Sequence, residues 1–557
     1  MKLRLPSLLR TALLSCLSMV TTLSSGTIAA GSTFVLALAA ISESHADTWS
    51  PNGITYTKLT TGTSGRGAIN APTTEAGNTI INYTNGGNCG SSLNWAGKDI
   101  RLTTETWNSG NPDDPFQNST NNNQIFNTLT DSATSALLPN ISMTVNGQIT
   151  ANSLWMSSGR YNLSNEGNLA VKTLYLVGGQ LWLTGSGSVS ADVSLMIGSS
   201  TWAEGNETAQ CSLRLENGTS VKGTVTLVED ALISVHSPGI TGTIAGDLTV
   251  AGHALTKKGD GTLVLNNIAD STIPTLTVNG TLQFKNLAAD TSGKTFTNIS
   301  LKNNSTLSFF NNASGAITQT VQTLTLDGNA TLITANAAGN WDIASLNGTD
   351  KTLTLQDSHA GTSEGTTSCY ILKGGTFSGN LSVKQTDAGE KSNMLVGVTN
   401  ESLLAHTVVN LAQKSSSNGF SVLALGNDTV QLTGLNGVAG TAIVAYGNFS
   451  NLSTLNDKSV LMAGDQSRTL EITGDGTYDY QGALGSKLNI TMTGTGTQTF
   501  SGDMSAFNGN ITLSSGTLNL QGTVAAGGMQ LNGTFSGGTL GIGTDVLYSA
   551  QMSSANL

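Results

Sequence analysis

The chain has 557 residues, of which 38% are hydrophobic and only 11% are charged, so Ser, Thr, Asn and Gly supply most of its polarity. Its 35 acidic and 24 basic residues give a net charge of −11, which argues against a nucleic-acid partner because phosphate binding needs a concentrated basic face. Sixty-six glycines beside 8 prolines indicate many tight turns rather than proline-rich disorder. At about 150 residues per domain, this length could form three or four domains or one elongated solenoid.

Residues 1–46 have the organisation of a secretory signal peptide. Three basic residues among the first ten precede an apolar stretch at 33–41, and small residues follow it, so we predict cleavage between Ala46 and Asp47. Residues 13–16 resemble a lipoprotein box, which is a signal for lipid attachment. The main apolar stretch should precede such a box, whereas here it follows, which argues against lipidation. A retained anchor is the other alternative, although the unbroken apolar run is shorter than about 20 residues. We expect export and no transmembrane segment in the mature chain.

The next segment, 47–140, differs from the remainder of the chain. It includes NPDDPFQNSTNNN at 111–123, which is too polar for a strand and is typical of a surface loop. We predict an N-terminal cap or irregular β region here, because an uncapped solenoid end would expose unpaired backbone groups.

Beyond about residue 140, short segments such as SLWMS, TLYLV, TLVLN, TLTVN and TLTLD alternate apolar and polar residues and are separated by NG, GG, DG or SG. This period of two predicts strands, and the separators predict turns. Two all-β architectures fit: a set of separate sandwiches, or a β-solenoid whose inward Leu, Val and Ile stack from coil to coil. An aromatic content of 5% favours the solenoid, which we place at 141–470, with a further and possibly truncated repeat at 471–557.

One phrase, ALTKKGDGTLVLNNIADSTIPTLTVNGTLQFKN at 254–286, resembles the autotransporter-associated β-strand repeat. A related phrase at 494–520 departs from the pattern, since Met492 and Thr493 stand where Thr-Lys is expected. The glycines allow a corner, after which alternate aliphatic residues point to one side, so the motif is structural. The matching residues are Leu255, Thr256, Lys257, Gly259, Gly261, Thr262, Leu263 and Leu265, followed by Gly280, Thr281 and Leu282.

The resemblance implies a secreted passenger, folded as a right-handed parallel β-helix and displayed outside a Gram-negative cell. An autotransporter of this kind should also have a translocator barrel of alternating segments with aromatic girdles. The final residues, GIGTDVLYSAQMSSANL, show neither feature. We therefore expect either a fragment or a barrel-less relative that is released or held by other means.

Residues suited to catalysis or metal binding form no convincing cluster. Asp113 and Asp114 lie in the Asn-rich loop, and the acids of GDGTYDY at 474–480 flank a turn; solvated loop acids explain both better than the carboxyl pair of a glycosidase. We expect no catalytic residues, no cofactor and no metal. The cysteines and histidines of the mature chain are too widely spaced to form a metal-ligand or catalytic motif. They are Cys89, Cys211 and Cys369, and His236, His253, His359 and His406.

A group of aromatic residues is the one arrangement that suggests binding. Alternation turns Trp155, Tyr175 and Trp182 outward, where exposed rings can stack on sugars or anchor a partner. The alternative is that they pack beneath the cap or a loop. The same alternation turns four leucines inward: Leu174, Leu176, Leu181 and Leu183.

The sequence therefore predicts an exported, non-enzymatic passenger for surface display or adhesion, with glycans or a host or neighbouring cell surface as partners. Two alternatives stay open. One is a polysaccharide lyase or hydrolase on the same fold, and the other is a structural protein of the cell envelope.

Overall fold

A computed structural model describes residues 213–285, 292–312, 316–358, 367–385, 393–412, 420–449, 457–525 and 529–543, together with the strand at 548–552. Nearer the N-terminus it describes individual strands between Thr48 and Ile197, with the side chains of Leu174, Leu176, Leu181, Trp182 and Leu183. The leader and both residues of the predicted cleavage site, Ala46 and Asp47, lie outside the described residues.

The described secondary structure is almost entirely β. One short helix, α1, spans Lys458–Ala463. The strands in chain order are β1 Thr48–Trp49, β2 Tyr56–Leu59, β3 Ala68–Asn70, β4 Ile80–Ile81, β5 Asp99–Ile100, β6 Gln124–Thr130, β7 Ser135–Leu138, β8 Met143–Met156, β9 Arg160–Leu163, β10 Asn168–Leu176, β11 Gln180–Leu183, β12 Ser188–Val189, β13 Ser194–Ile197, β14 Leu213–Leu215, β15 Ser220–Val221, β16 Val225–Leu227, β17 Ala231–Ser234, β18 Thr241–Thr249, β19 Leu255–Lys258, β20 Thr262–Ile268, β21 Thr272–Val278, β22 Thr281–Phe284, β23 Thr295–Leu301, β24 Ser305–Phe310, β25 Ile317–Leu326, β26 Ala330–Ala335, β27 Gly339–Ser358, β28 Thr367–Leu372, β29 Gly375–Gln385, β30 Asn393–Val398, β31 His406–Ala412, β32 Ser421–Leu425, β33 Thr429–Leu432, β34 Gly434–Gly437, β35 Thr441–Val444, β36 Arg468–Ile472, β37 Thr477–Tyr480, β38 Ala483–Leu484, β39 Leu488–Met492, β40 Thr497–Phe500, β41 Asn510–Leu513, β42 Thr517–Leu520, β43 Met529–Phe535, β44 Thr539–Ile542 and β45 Tyr548–Met552.

Strands pair in parallel between successive coils, and each coil has three faces. The long strand β27 bends through a whole coil: residues 339–343 lie on face C, 345–348 on face A and 353–358 on face B. The chain returns to the same face after 19 residues between Leu263 and Leu282 and after 29 residues between Asn340 and Cys369. This arrangement is a parallel β-solenoid, so the predicted all-β solenoid is confirmed and the sandwich alternative is excluded.

Leucines stacked from coil to coil form the core of face B. Leu263, Leu282, Leu307, Leu332 and Leu355 follow one another in register and are all buried. Burying each such side chain contributes about 1.5–3 kcal/mol. The four leucines predicted to point inward on β10 and β11 are buried as well. Alternation along the face B strands and along β10 and β11 therefore produces the core that the sequence predicts.

Face C departs from this alternation, because three of its strands are buried on both sides. Every residue of β30, β32 and β35 is buried. The chain takes 41 residues to go from Ala442 to its partner Ala483, against 19 and 29 in the two coils described above, and this insertion includes α1. Tyr446 and Leu461 from the insertion pack against the outward residues of these strands in a second apolar cluster. The continuous apolar runs of the three strands are the sequence signal for burial on both sides.

The N-terminal strands begin with an antiparallel sheet of β1, β2 and β3, before parallel pairing starts at β4 and β5. The loop at 111–123 lies outside the described residues, so the N-terminal cap stays a prediction. Across the described parts of the chain, no helix combines the length and apolarity needed to cross a membrane.

Candidate functional site

The predicted repeat residues form the corner between faces A and B. Leu255, Leu263 and Leu265 are buried, and Leu282 stacks on Leu263 in the next coil. Gly259 and Gly280 have φ of +80° and +82°, the left-handed region that L residues rarely adopt. A Cβ on Gly280 would overlap both the Gly259 carbonyl and the Lys257 amine. Outside the corner, Thr262 lies in register with Thr281 of the next coil.

Lys257 is a fully buried lysine in an otherwise aliphatic column. It stacks between Ile233 and Val278, which lead on to Leu301 and Leu326, and all of these residues are buried. Its amine donates hydrogen bonds to the carbonyl of Gly259, to that of Gly261 (2.5 Å) and to that of Asn279 in the following coil (2.9 Å). The amine therefore cross-links two corners.

Burial lowers the pKa of the Lys257 amine from 10.5 to about 7, while the nearby carboxylate of Asp260 acts in the opposite direction. A desolvated ammonium is costly unless its hydrogen bonds are satisfied. The three surrounding carbonyls supply those bonds, so this lysine of the repeat is structural.

A turn at the same place in the coil recurs later without the lysine, although Gly474 and Gly494 do not have the positive φ of Gly259. Thr477 of the GDGTYDY segment pairs with Thr497, and Thr497 pairs with Thr517. Met492 is buried at the strand end and pairs with Leu513, so the second phrase keeps its register although it lacks the Thr-Lys lead-in. Asp479, one of the acids predicted to flank a turn, lies instead within β37, where it is exposed and accepts a hydrogen bond from Ser501 at 2.9 Å.

The three predicted outward aromatics do not fall in one column. Tyr175 and Trp155 are register partners in the pairing of β10 with β8, whereas Trp182 pairs with Asn162 and Arg214 in a different ladder. The guanidinium of Arg214 lies 3.9 Å from the centre of the Trp182 ring and forms an ion pair with Glu216. One ring face of Trp182 is therefore covered by a cation–π contact, and the backbone register places Trp182 in a different ladder from the other two positions. The side chains of Trp155 and Tyr175 lie outside the described residues.

A cavity of about 400 Å³ opens on the outer side of face C, next to the insertion. This volume lies within the range of small-molecule sites. Asn340 and Asp342 of β27 contribute from one coil and Lys373 from the next, while Phe449 comes from the insertion. Thr318 and Thr399 add hydroxyl groups to the lining. Most of these residues lie far apart in the sequence, so neither strand alternation nor a short motif predicts the cavity.

Two side chains that line this cavity each have an oxygen without a hydrogen-bond partner among the described residues. The side chain of Asn340 donates to the hydroxyl of Thr318 (3.3 Å), and one carboxylate oxygen of Asp342 accepts from the Lys373 amine (2.8 Å). Among the described residues, neither Asn340 Oδ1 nor Asp342 Oδ1 has a hydrogen-bond partner, although both atoms are buried. Asn340 as a whole is only 5% exposed. Buried polar atoms are normally hydrogen-bonded, so this pair stands out.

Phe449 is held in place by close packing and by Asp465. A Cβ on Gly397 would lie 2.6 Å from the Phe449 ring, and one on Gly426 would lie 2.7 Å from it, so the two glycines make room for the ring. Asp465 accepts hydrogen bonds from the backbone N–H groups of Gly447 (2.9 Å) and Asn448 (3.1 Å) and pairs with Arg468 at 3.2 Å.

The cysteine that borders the cavity is buried. Cys369 is 1% exposed, and burial raises its pKa, with a smaller contribution from the nearby charge of Asp342. A protonated, inaccessible thiol is a poor nucleophile. Within the described part of the chain, no group of three or more His, Cys, Asp or Glu side chains could hold a metal ion.

The chain has no significant match to a protein-family model, a curated protein or a solved structure. Its fold is that of a parallel β-solenoid, which is compatible with a passenger-like or surface protein.

Proposed function

We propose that the chain is an exported passenger of the autotransporter type, displayed at or released from the surface of a Gram-negative cell, where it binds rather than catalyses. The observation that carries the proposal is the corner at 255–265, which stacks coil upon coil with the residues that resemble the repeat. A solenoid of this kind presents long faces to its surroundings, which suits display and adhesion.

The test is expression of the complete chain in a Gram-negative host. We expect a mature product that starts at Asp47 and is degraded by protease added to intact cells, or is recovered from the medium. A bulky replacement, Ala46→Phe, should block processing, because signal peptidase needs a small residue before the cut. Full-length, unprocessed chain in the cytoplasm would contradict the proposal.

Binding is preferred over hydrolysis for a specific reason. Glycoside hydrolysis commonly uses two carboxyl groups about 5–9.5 Å apart, and Asp342 is the one carboxylate among the described residues lining the face C cavity. Turnover of a panel of polysaccharides by the purified chain would support the enzyme alternative. Ordered self-assembly without a ligand would support the structural envelope alternative.

A further inference from the structure

We propose that the face C cavity is a binding site for a neutral saccharide ring. The inference deepens the proposed function by naming a class of ligand for the displayed solenoid, and to that extent it rests on it. Its test uses purified protein, so a failure of binding and a failure of export are seen in separate experiments.

The unpartnered acceptors define the polar part of the ligand. Asn340 and Asp342 lie two residues apart on β27, so they point to the same side with a spacing of about 7 Å. Each has a buried oxygen with no partner among the described residues, and each oxygen needs an N–H or O–H donor; a ligand in the cavity supplies that donor when a side-chain rotation brings the oxygen to the cavity surface. A sugar ring carries hydroxyl groups around its rim and can supply one donor to each of the two side chains.

The charges of the lining favour a neutral ligand. Asp342 and Lys373 are the two charged residues of the described lining, and they form an ion pair with each other at 2.8 Å. Their opposite charges leave no net charge to attract an ion. An acidic sugar would also place its carboxylate beside two acceptor oxygens, which repel it.

The apolar part of the cavity suits the C–H face of a sugar. The half-buried ring of Phe449 borders the cavity, beside the partly buried Ile371. Aromatic and aliphatic walls with a few placed polar groups are the usual composition of small-molecule sites. Thr318 and Thr399 add hydroxyls that can either donate or accept. The volume accommodates one or two sugar rings.

The experiment is saturation-transfer difference NMR with the purified chain and four neutral disaccharides: maltose, cellobiose, lactose and N,N′-diacetylchitobiose. A glucuronic-acid disaccharide serves as the charged comparison. We expect transfer to at least one neutral probe. Asn340→Leu removes one acceptor and should weaken that binding about tenfold or more. Asn298→Leu, the same change at an exposed asparagine on face A, should leave it unchanged.

A second variant guards against a folding defect in Asn340→Leu. Phe449→Leu keeps an apolar side chain at a half-buried position and removes the ring, so it should stay folded and still weaken binding. Circular dichroism verifies the fold of each variant. The proposal is overturned if no neutral probe receives transfer, if the acidic probe binds better, or if a folded variant of Asn340 or Phe449 binds as the parent does.

Discussion

Replacing Lys257 by methionine tests whether the buried amine of the repeat titrates near neutral pH. The folded-state pKa is about 7, whereas the unfolded chain has the ordinary 10.5. Between these values the unfolded chain binds a proton that the folded chain lacks, so stability rises as the pH increases from 7 toward 10.5. Below pH 7 the cost of the buried ammonium is fully present.

The magnitude follows from the shift. One pKa unit corresponds to about 1.4 kcal/mol, so we expect the free energy of unfolding of the parent to gain about 2 kcal/mol between pH 7 and pH 9 from this group alone. A methionine side chain has no amine, so Lys257→Met lacks this gain. The variant also leaves the carbonyls of Gly259 and Asn279 without the lysine donor, which costs about 1–3 kcal/mol for each carbonyl left unpaired, whereas the Gly261 carbonyl keeps the Thr281 N–H.

The measurement is urea unfolding followed by circular dichroism at pH 6, 7, 8 and 9 for the parent and the variant. Lys258→Met is the matched control, because Lys258 is the next residue and its side chain is partly exposed; its pH profile should run parallel to that of the parent. If the curves of the parent and Lys257→Met also stay parallel, the three carbonyls keep the ammonium charged and the reasoning is refuted.

Three further predictions concern the corner, the insertion and the buried thiol. Gly280→Ala should destabilise the fold by about 1–3 kcal/mol more than Gly252→Ala, because both have positive φ but a Cβ at Gly252 meets nothing within 4 Å; equal urea midpoints would contradict this. Asp465→Ala should speed hydrogen exchange at Gly447, because the Gly447 N–H donates a hydrogen bond to the Asp465 carboxylate, while exchange in the face B strands stays unchanged. Cys369 should resist alkylation at pH 8 in the folded chain and react on unfolding, as read by peptide mass spectrometry, because burial raises its pKa; equal rates in both states would contradict its burial.

Local patterns were sufficient for the solenoid and for its corners. The alternation in β10 and β11 correctly predicted that four leucines point inward. Side chains alternate along a strand regardless of the strand with which it pairs. The Gly-rich phrase at 254–286 correctly marked a corner, because positive φ is a local requirement that glycine meets. The leader that directs export is also a local pattern, recognised from its composition and from the order of its basic, apolar and small residues. Export itself stays a prediction.

What the sequence could not determine depends on contacts between distant residues. Alternation predicts that three aromatic residues point outward but not which of them are neighbours; the register between strands places Trp182 in a different ladder from Tyr175. Lys257 is polar by type, yet it is buried because the carbonyls of two successive corners converge on its amine. The face C cavity joins β27 to Phe449 across more than a hundred residues, so only the stacking of coils and the docking of the insertion create it. Sequence by itself determined the repeating strand and turn, since those are local; the tertiary structure decided which polar atoms are buried together, since that depends on which coils become neighbours.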